Sequence, residues 1–371
     1  MTQRPKVLLL IPHLGGGGAE RVTALLARGL SQEKYEVHLG LVAQGDADAE
    51  AMPAWVRIHA LGARRVRSGV LKLLKLIWGI KPKVILSGMA HLNFMVLLLR
   101  PHTPRETRVL VRQNGTASTA LAFGDLPGYT RLLYRLLYRR ADRVICQTRA
   151  MAGDLAKEFG ISEERLAVLA NPVDVDGIGD ALDSGPILWS GPGPHLIAVG
   201  RLARVKGFDM LLEALAVVRE RFPKADLVIA GAGAEESALK AQCRELGLER
   251  AVCFPGSVER PAAYFPGATL FVLSSRHEGL PNALLEAAAG RLPLVVVPAC
   301  EGIVELLHGQ TGAWLAAEIS VAALAGSLLE ALRALRPGER FAHAWMESFR
   351  MERALEAYEE LIDATMKEGR R

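Results

Sequence analysis

Residues 274–302 read SSRHEGLPNALLEAAAGRLPLVVVPACEG, and the pattern of apolar runs in and around this segment indicates the fold class. The apolar run 270–273 just before it is typical of a buried parallel strand, and the run 281–289 favours a helix. A second apolar run, 294–297, follows the helix after a short loop. The order strand, loop, helix, strand predicts an α/β domain with a doubly wound parallel sheet.

The loop brings the N-terminus of this helix to the carboxyl edge of the sheet, where α/β proteins bind anionic ligands. Backbone N–H groups of the first turn, at about residues 279–283, have no partner within the helix and attract negative charge. We therefore expect a phosphate group here, in contact with residues Gly279, Leu280, Pro281 and Asn282.

Two carboxylates, Glu278 and Glu286, bracket this predicted phosphate site. Because an ionised carboxylate only accepts hydrogen bonds, each can bind two hydroxyl groups of a sugar or a ribose. Two glutamates at this spacing are more often a solvated loop residue and a surface helix residue. The strand, helix and strand around this pair favour the binding role.

A second loop between a strand and a helix contains Arg201 and Lys206 in the sequence GRLARVKG, residues 200–207. Arg can bind two phosphate oxygens at once and Lys supplies a compact charge, so the pair can neutralise a diphosphate. Two solvated surface cations are the alternative. The apolar run 195–199 before the loop and the helical pattern after it favour the ligand-binding role.

A third loop, in GGGGAERV at residues 15–22, has four consecutive glycines between the apolar run 7–11 and a helical pattern over 19–30. Glycine lets the backbone approach a ligand closely. A glycine loop that stands alone is more often a tight turn. The two later motifs favour a ligand-binding role here as well.

With these three motifs in this order, the chain resembles the retaining glycosyltransferases of family 4, the glycogen-synthase-like group, over nearly its whole length. The resemblance implies the GT-B fold, in which two Rossmann-like, doubly wound domains face each other across a cleft. Residues 1–172 would form the acceptor-binding domain and 173–345 the nucleotide-sugar-binding domain. Residues 176–194, rich in Gly, Asp and Pro, are predicted to be a linker. The tail 346–371 is expected to pack back on the first domain.

The resemblance implies transfer of a hexose or N-acetylhexosamine from a nucleotide diphosphate sugar, for which we expect UDP, with retention and without a metal. Glu278 would position the sugar and Glu286 the ribose. Arg201 and Lys206 would hold the leaving diphosphate. The resemblance also places these residues near the donor: Gly16, Gly17, Ser257 and Val258. Glu301, in the loop 299–303, is expected to face the sugar.

Polar residues at the ends of two strands of the first domain are candidates for the reaction and for the acceptor. Family members often place a histidine that contacts the sugar or the acceptor near position 91, and His91 is counted as catalytic, although its neighbours differ from the usual ones. A buried histidine with satisfied hydrogen bonds is the alternative. Asn93, Gln113 and Asn114 are predicted to contact the acceptor.

Two segments, 64–83 and 129–143, combine cations with apolar residues. The first is typical of a helix that lies on an anionic bilayer, but a helix packed on the sheet with a solvated basic face fits equally well. In the second, arginines recur every four residues and gather on one helix face. Lipid headgroups or an acceptor pyrophosphate suit that face, and a solvated flank is the alternative.

The pattern as a whole most resembles enzymes that extend lipid-linked oligosaccharides or surface polysaccharides at the inner face of a bacterial membrane. The length of 371 residues fits two domains, and the net charge of +5 favours an anionic partner. We expect a nucleotide sugar and a glycan or lipid-linked acceptor as partners, but no nucleic acid. The scattered cysteines and the polar start MTQRPK predict a cytoplasmic protein, peripheral on the membrane if bound to it.

Asp46 and Asp48 form a DxD pattern, which holds a divalent metal in another glycosyltransferase fold. They lie in the half of the chain opposite the donor motifs, so we predict a solvated loop there and no cofactor. Two other functions stay open. An epimerase or phosphorylase of the same fold would convert the donor sugar without a glycan acceptor. A non-catalytic binder of anionic lipid or nucleic acid would bind its partner equally well after Glu278→Ala.

Overall fold

The computed structural model describes residues 4–15, 17–42, 52–63, 69–124, 126–184, 189, 191–258 and 260–368. The chain divides into two compact units, Met1–Pro172 with Met351–Arg371, and Val173–Arg350. The described part of each unit has one parallel sheet with helices between its strands. The predicted α/β fold with two doubly wound, Rossmann-like units is therefore confirmed.

The first unit has a parallel sheet of seven described strands in the order β3-β2-β1-β4-β5-β6-β7. The strands are β1 Lys6–Ile11, β2 Glu36–Leu41, β3 Arg57–Ala60, β4 Val84–Ser87, β5 Arg108–Arg112, β6 Arg143–Cys146 and β7 Leu166–Val168. The helices are α1 Gly18–Gly29, α2 Val70–Ile80, α3 Ala90–Leu99, α4 Ala117–Ala122, α5 Thr130–Leu137, α6 Arg149–Phe159 and, from the end of the chain, α13 Met351–Lys367.

Helices of the first unit cover both faces of its sheet, because alternate strand residues are apolar and buried on opposite sides. One buried cluster joins the strands to α1 and α13, and the other joins them to α2, α3, α5 and α6. The strand order reverses between β1 and β4, so the helices that follow these two strands diverge to opposite faces. This switch point is where α/β sheets open a crevice for ligands.

The second unit has a parallel sheet of six described strands in the order β10-β9-β8-β11-β12-β13. The strands are β8 His195–Val199, β9 Asp226–Ala230, β10 Val252–Cys253, β11 Leu270–Leu273, β12 Leu294–Val296 and β13 Ala313–Leu315. The helices are α7 Val175–Ser184, α8 Phe208–Arg221, α9 Glu236–Glu245, α10 Asn282–Ala289, α11 Glu301–Leu307 and α12 Val321–Ala334. Here the switch point lies between β8 and β11.

Three expectations from the sequence differ from the structure. The predicted linker begins with helix α7, because Ile178 and Ala181 recur on one face and are buried. Pro281 precedes α10 instead of occupying its first turn, with φ −74° and ψ 118°. The second unit extends to Arg350, since a 3-10 turn at Ala344–Phe349 packs its buried Met346 and Phe349 in that unit. The remainder of the tail, α13, packs on α1 of the first unit.

Candidate active site

The loops that follow β8 and β11 meet at the switch point of the second unit and bring Lys206 and Glu278 together. The Nζ atom of Lys206 lies 2.5 Å from Oε1 of Glu278. The hydroxyl of Ser275 also donates to Oε1, at 2.6 Å. The second carboxylate oxygen, Oε2, accepts no hydrogen bond from any described residue, so it is available to a hydroxyl group of a ligand.

A clamp between Asp209 and Arg276 holds the two loops in register. The guanidinium donates to both carboxylate oxygens of Asp209, at 2.7 and 2.6 Å, and also to the carbonyl of Arg204 at 2.7 Å. The backbone N–H of Arg276 donates to the Val205 carbonyl at 2.7 Å. Because these bonds fix the turn Arg204–Lys206, they fix the start of the Lys206 side chain.

Removing the clamp by Arg276→Met is expected to weaken binding of the predicted donor by about tenfold or more, because a misplaced Lys206 weakens a charged hydrogen bond worth about 1.5–3 kcal/mol, and about 1.4 kcal/mol is tenfold in affinity. Isothermal titration with the donor nucleotide measures the change. Arg219→Met is the control, since the Arg219 guanidinium caps the Ala225 carbonyl elsewhere in the same unit. Equal affinities of wild type and Arg276→Met would contradict the positioning role.

The clamp also has a defined pH range. Burial acts to raise the pKa of Asp209, but the hydrogen bonds and the charge of Arg276 outweigh burial and hold the pKa below its ordinary value. A carboxyl group with a depressed pKa stabilises the fold above its unfolded pKa of about 4, and this contribution is lost as the pH falls through the lower folded pKa. The clamp therefore stays intact at neutral pH.

The loop that leads into α10 is fixed from a third side, by the residues that follow β12. The backbone N–H of Glu278 donates to the Ala299 carbonyl at 3.2 Å, and the thiol of Cys300 donates to the Gly279 carbonyl at 2.9 Å. Burial raises the pKa of the Cys300 thiol to about 11. Cys300 is therefore a neutral hydrogen-bond donor that orients the Gly279 peptide.

The N-terminus of α10 lies directly after this loop, as the sequence predicted. The first intrahelical bonds run from the N–H groups of Leu284 and Leu285 to the Pro281 carbonyl, at 3.1 and 3.3 Å. Gly279, Leu280 and Pro281 are buried, while Asn282 is half-buried. Glu286 lies in the helix eight residues beyond Glu278 and is 9% exposed. The sequence E-x7-E therefore gives one carboxylate on the loop and one on the helix.

Arg201 lies in the same loop as Lys206, and its exposed side chain makes no hydrogen bond with the described residues. The loop of Gly231 after β9 packs directly on the Arg201 backbone, since a Cβ at Gly231 would lie 1.8 Å from the Gly200 carbonyl oxygen. Only glycine permits this approach. Arg201 thus starts from a fixed backbone and has a free guanidinium for an anion.

The other predicted donor contacts are more scattered. Ser257 is exposed and Val258 half-buried in the loop after β10, on the far side of β9 from the site. Glu301 is the first residue of α11 and is exposed next to Cys300. Their roles remain predictions. No sequence pattern pointed to Ser275, Asp209, Arg276 or Cys300, because their roles depend on side-chain geometry.

The first unit has a histidine pair at its own switch point. His13 follows β1 and its Nε2 lies 3.8 Å from Oε1 of the buried Glu20, while His91 is exposed in the first turn of α3 after β4. Desolvation by the surrounding protein lowers the pKa of His91, and the charge of His13 lowers it further. His91 is therefore largely neutral at pH 7. Gly17 precedes α1, and Gly16 lies outside the described residues.

Two of the three residues predicted to contact the acceptor point into the protein instead. Asn93 is fully buried and donates to the Arg112 carbonyl at 3.0 Å and to the Tyr138 hydroxyl at 3.2 Å. Gln113 donates to the Gly115 carbonyl at 2.7 Å and accepts from Tyr138 at 2.9 Å. Both predictions are therefore wrong, because the two side chains are buried and bonded within the first unit, with Asn93 0% and Gln113 5% exposed.

Asn114 is half-buried and ties two edge loops together: its amide donates to the Gly88 carbonyl and its oxygen accepts from Arg112. Arg112, 2% exposed, also donates to Asn171 at 2.5 Å. A direct acceptor contact by Asn114 remains a prediction. Its described bonds position the loops after β4 and β5 around His91.

The fold and the residues at its switch point indicate what kind of domain the second unit is. A doubly wound sheet with cations, carboxylates and a helix N-terminus at one edge is typical of a domain that binds a nucleotide diphosphate. The model of the family described as Glycosyltransferase Family 4 matches residues 16–176, and that of Glycosyl transferases group 1 matches residues 193–334.

Characterised relatives agree with these matches. The chain is 30% identical over 312 residues, 81% of this chain and 83% of the relative, to N-acetylgalactosamine-N,N'-diacetylbacillosaminyl-diphospho-undecaprenol 4-alpha-N-acetylgalactosaminyltransferase of Campylobacter jejuni. It is 28% identical to the lipopolysaccharide core biosynthesis glycosyltransferase LpsE of Rhizobium meliloti over 284 residues, 76% of each chain. The chain belongs to the family 4 glycosyltransferases.

A solved structure supports the fold. Anabaena Alr3699/HepE in complex with UDP and glucose superimposes with a TM-score of 0.79 over 97% of this chain and 100% of that one, at 17% identity. At this identity the likeness concerns the fold alone. The GT-B resemblance of the sequence is thereby confirmed, and the protein is a glycosyltransferase.

Proposed function

We propose that the protein transfers a hexose or N-acetylhexosamine from a UDP sugar to a lipid-linked oligosaccharide or polysaccharide acceptor, with retention at the anomeric carbon. The observation that carries the proposal is the Lys206–Glu278 pair, at 2.5 Å, beside the N-terminus of α10. One site thereby offers a cation to the diphosphate and a carboxylate oxygen to the sugar hydroxyls.

Donor binding follows from the charges of this site. Arg201 and Lys206 neutralise the diphosphate, and the first-turn N–H groups of α10 add their partial positive charge. Glu278 accepts hydroxyl groups of the sugar through Oε2, and Glu286 accepts those of the ribose. Because protein cations supply the positive charge, we propose that no metal ion is required, and EDTA should leave transfer unchanged.

The transfer step breaks the bond from the anomeric carbon to the diphosphate oxygen and forms a bond from that carbon to the acceptor oxygen. In our proposal the acceptor hydroxyl approaches on the face that the diphosphate leaves, and its proton goes to the departing phosphate oxygen. Lys206 and Arg201 stabilise the charge that develops on that oxygen. Retention follows, since attack and departure share one face.

The acceptor class is supported by the relatives. The Campylobacter jejuni relative is named for a diphospho-undecaprenol acceptor and the Rhizobium meliloti relative for lipopolysaccharide core biosynthesis. We propose that this protein acts likewise on a lipid-linked or polysaccharide glycan at the inner face of the cytoplasmic membrane. Among the described residues, no helix has both the length and the apolar character that crossing a bilayer requires.

A thermal-shift series with UDP, GDP and ADP sugars tests the donor. A UDP sugar at about one hundred times its Kd should raise the melting temperature by about 5 °C or more. Stabilisation by GDP sugars alone would contradict the choice of base. Anomeric proton signals of the product in NMR then test retention. Sugar release or isomerisation without acceptor would instead indicate a hydrolase or an epimerase.

A further inference from the structure

Three helices of the first unit, α2, α3 and α5, lie side by side on one face of its sheet. All three contribute to the same buried cluster, and Phe94 of α3 packs edge-on against Tyr134 of α5, with ring centres 5.0 Å apart. The indole N–H of Trp78 in α2 donates to the His102 carbonyl just beyond α3, at 2.9 Å. The described part of the first segment, 69–83, and the segment 129–143, distant in sequence, therefore belong to one surface, while residues 64–68 lie outside the described residues.

Large apolar side chains point outward from this surface. Five of these side chains have an exposed fraction of 51–73%: Leu71 and Trp78 on α2, Leu98 on α3, and Leu132 and Leu136 on α5. The inward sides of the same helices are already filled by buried residues such as Leu73 and Leu137. The exposed residues are therefore a second apolar layer that none of the described residues covers, unusual for a solvated helix face.

The charges on this surface have one sign. The sequences of α2, α3 and α5 contain no acidic residue, whereas Lys72, Lys75, Arg131 and Arg135 are exposed. Beside these three helices, Glu158 at the end of the neighbouring helix α6 forms an ion pair with Arg131, at 3.5 Å. We call the exposed residues Leu71, Lys75, Trp78, Leu98, Leu132, Arg135 and Leu136 the apolar-basic face.

The opposite face of the sheet has charges of both signs. Helix α13, which packs there on α1, has the sequence MERALEAYEELIDATMK. Its exposed side carries Glu352, Glu356 and Glu360 together with Arg353 and Lys367. An anionic surface would attract the acid-free helices more strongly than this mixed face, so the charge pattern favours one orientation of the first unit.

We infer that the apolar-basic face binds an anionic lipid bilayer, with α2, α3 and α5 parallel to the membrane plane. The leucines enter the acyl boundary, Lys75 and Arg135 contact lipid phosphates, and Trp78, held by His102, lies at the headgroup level. Helices without acidic residues, outward leucines and exposed cations together favour a lipid surface over a protein partner. This inference rests on the proposed lipid-linked acceptor.

Co-sedimentation of the full chain with vesicles tests the inference. The protein should pellet with phosphatidylglycerol-containing vesicles at low salt, and pure phosphatidylcholine should retain far less of it. Leu132→Ser with Leu136→Ser should lower vesicle partitioning by about tenfold. Lys75→Gln with Arg135→Gln should lower it by about fivefold per cation.

Matched variants in the second unit are the controls. Val217 and Ile319, each 40% exposed, are changed to Ser, and the exposed Arg244 and Arg333 to Gln. The inference is wrong if these controls lose as much vesicle binding as the variants of the apolar-basic face. It is also wrong if the wild-type protein pellets equally with anionic and neutral vesicles. The same holds if light scattering shows a dimer that Leu132→Ser with Leu136→Ser dissociates, because a second copy would then cover the face.

Donor binding separates this inference from the proposed function. The face variants should retain the melting-temperature shift with the UDP sugar, since none of the changed residues belongs to the second unit. A wild-type protein that responds to UDP sugar but ignores anionic vesicles would overturn only the lipid inference. Vesicle binding without any response to nucleotide sugars would overturn the proposed donor and leave the lipid surface intact.

Discussion

Lys206→Ala is expected to lower kcat by about 10²–10³-fold, the usual effect of removing one donor that stabilises developing charge. The ammonium lies 2.5 Å from Glu278 and belongs to the loop that the Arg276 clamp fixes. In the proposed reaction its interaction with the diphosphate strengthens as the sugar leaves, so kcat should fall more than KM rises. Initial rates with saturating UDP sugar and acceptor measure both parameters.

A second ion pair in the same unit provides the control for Lys206. Lys240 lies 2.6 Å from Glu236 on the exposed side of α9, and Lys240→Ala should leave kcat and KM unchanged. Glu278→Gln keeps the shape but removes the charge that pairs with Lys206, and should weaken sugar binding more than UDP binding. Retention of kcat within about threefold by Lys206→Ala would show that the pair is structural.

The sequence predicted the buried strands well because their signal is local. Residues 196–199, 227–230 and 270–273 are continuous apolar segments, and strands β8, β9 and β11 contain them whole, with one polar residue added at the start of β8 and of β9. Strand β3 was missed, since RIHA is largely exposed at the sheet edge and lacks an apolar run. The helical face of α7 was hidden by Gly and Asp, which composition alone assigns to a linker.

Only those parts of the candidate site that follow from the order of strands and helices could be predicted from the sequence. Lys206 and Glu278 are 72 residues apart, and their meeting follows from two strand-to-helix loops at one switch point. The Asp209–Arg276 clamp depends on side-chain geometry that no spacing rule encodes. Asn93 and Gln113 illustrate the same limit. Their positions near strand ends predict that they lie at the edge of the sheet, but whether a side chain faces solvent or the interior depends on the residues packed around it.

Gly207→Ala should destabilise the second unit by about 2 kcal/mol more than Gly247→Ala, although both replace a glycine with φ near +65°. The two share the left-handed penalty of about 1–2 kcal/mol, partly offset by the reduced entropy of the unfolded chain. The two positions differ in the room available for a Cβ atom. A Cβ at Gly207 would lie 2.1 Å from the Ser274 carbonyl oxygen, whereas one at Gly247 meets nothing within 4 Å.

The clash at Gly207 has a functional consequence that the strain at Gly247 lacks. Relief requires the backbone of Gly207 to move away from Ser274, whose hydroxyl donates to the Lys206 carbonyl at 2.9 Å, so Lys206 must shift as well. Donor affinity, measured by titration with the UDP sugar at a temperature where both variants are folded, should fall by about tenfold or more for Gly207→Ala only. Urea midpoints measure the stability difference. Equal losses of stability and affinity in the two variants would show that contact between the loops after β8 and β11 does not position Lys206, and that the left-handed conformation alone requires glycine there.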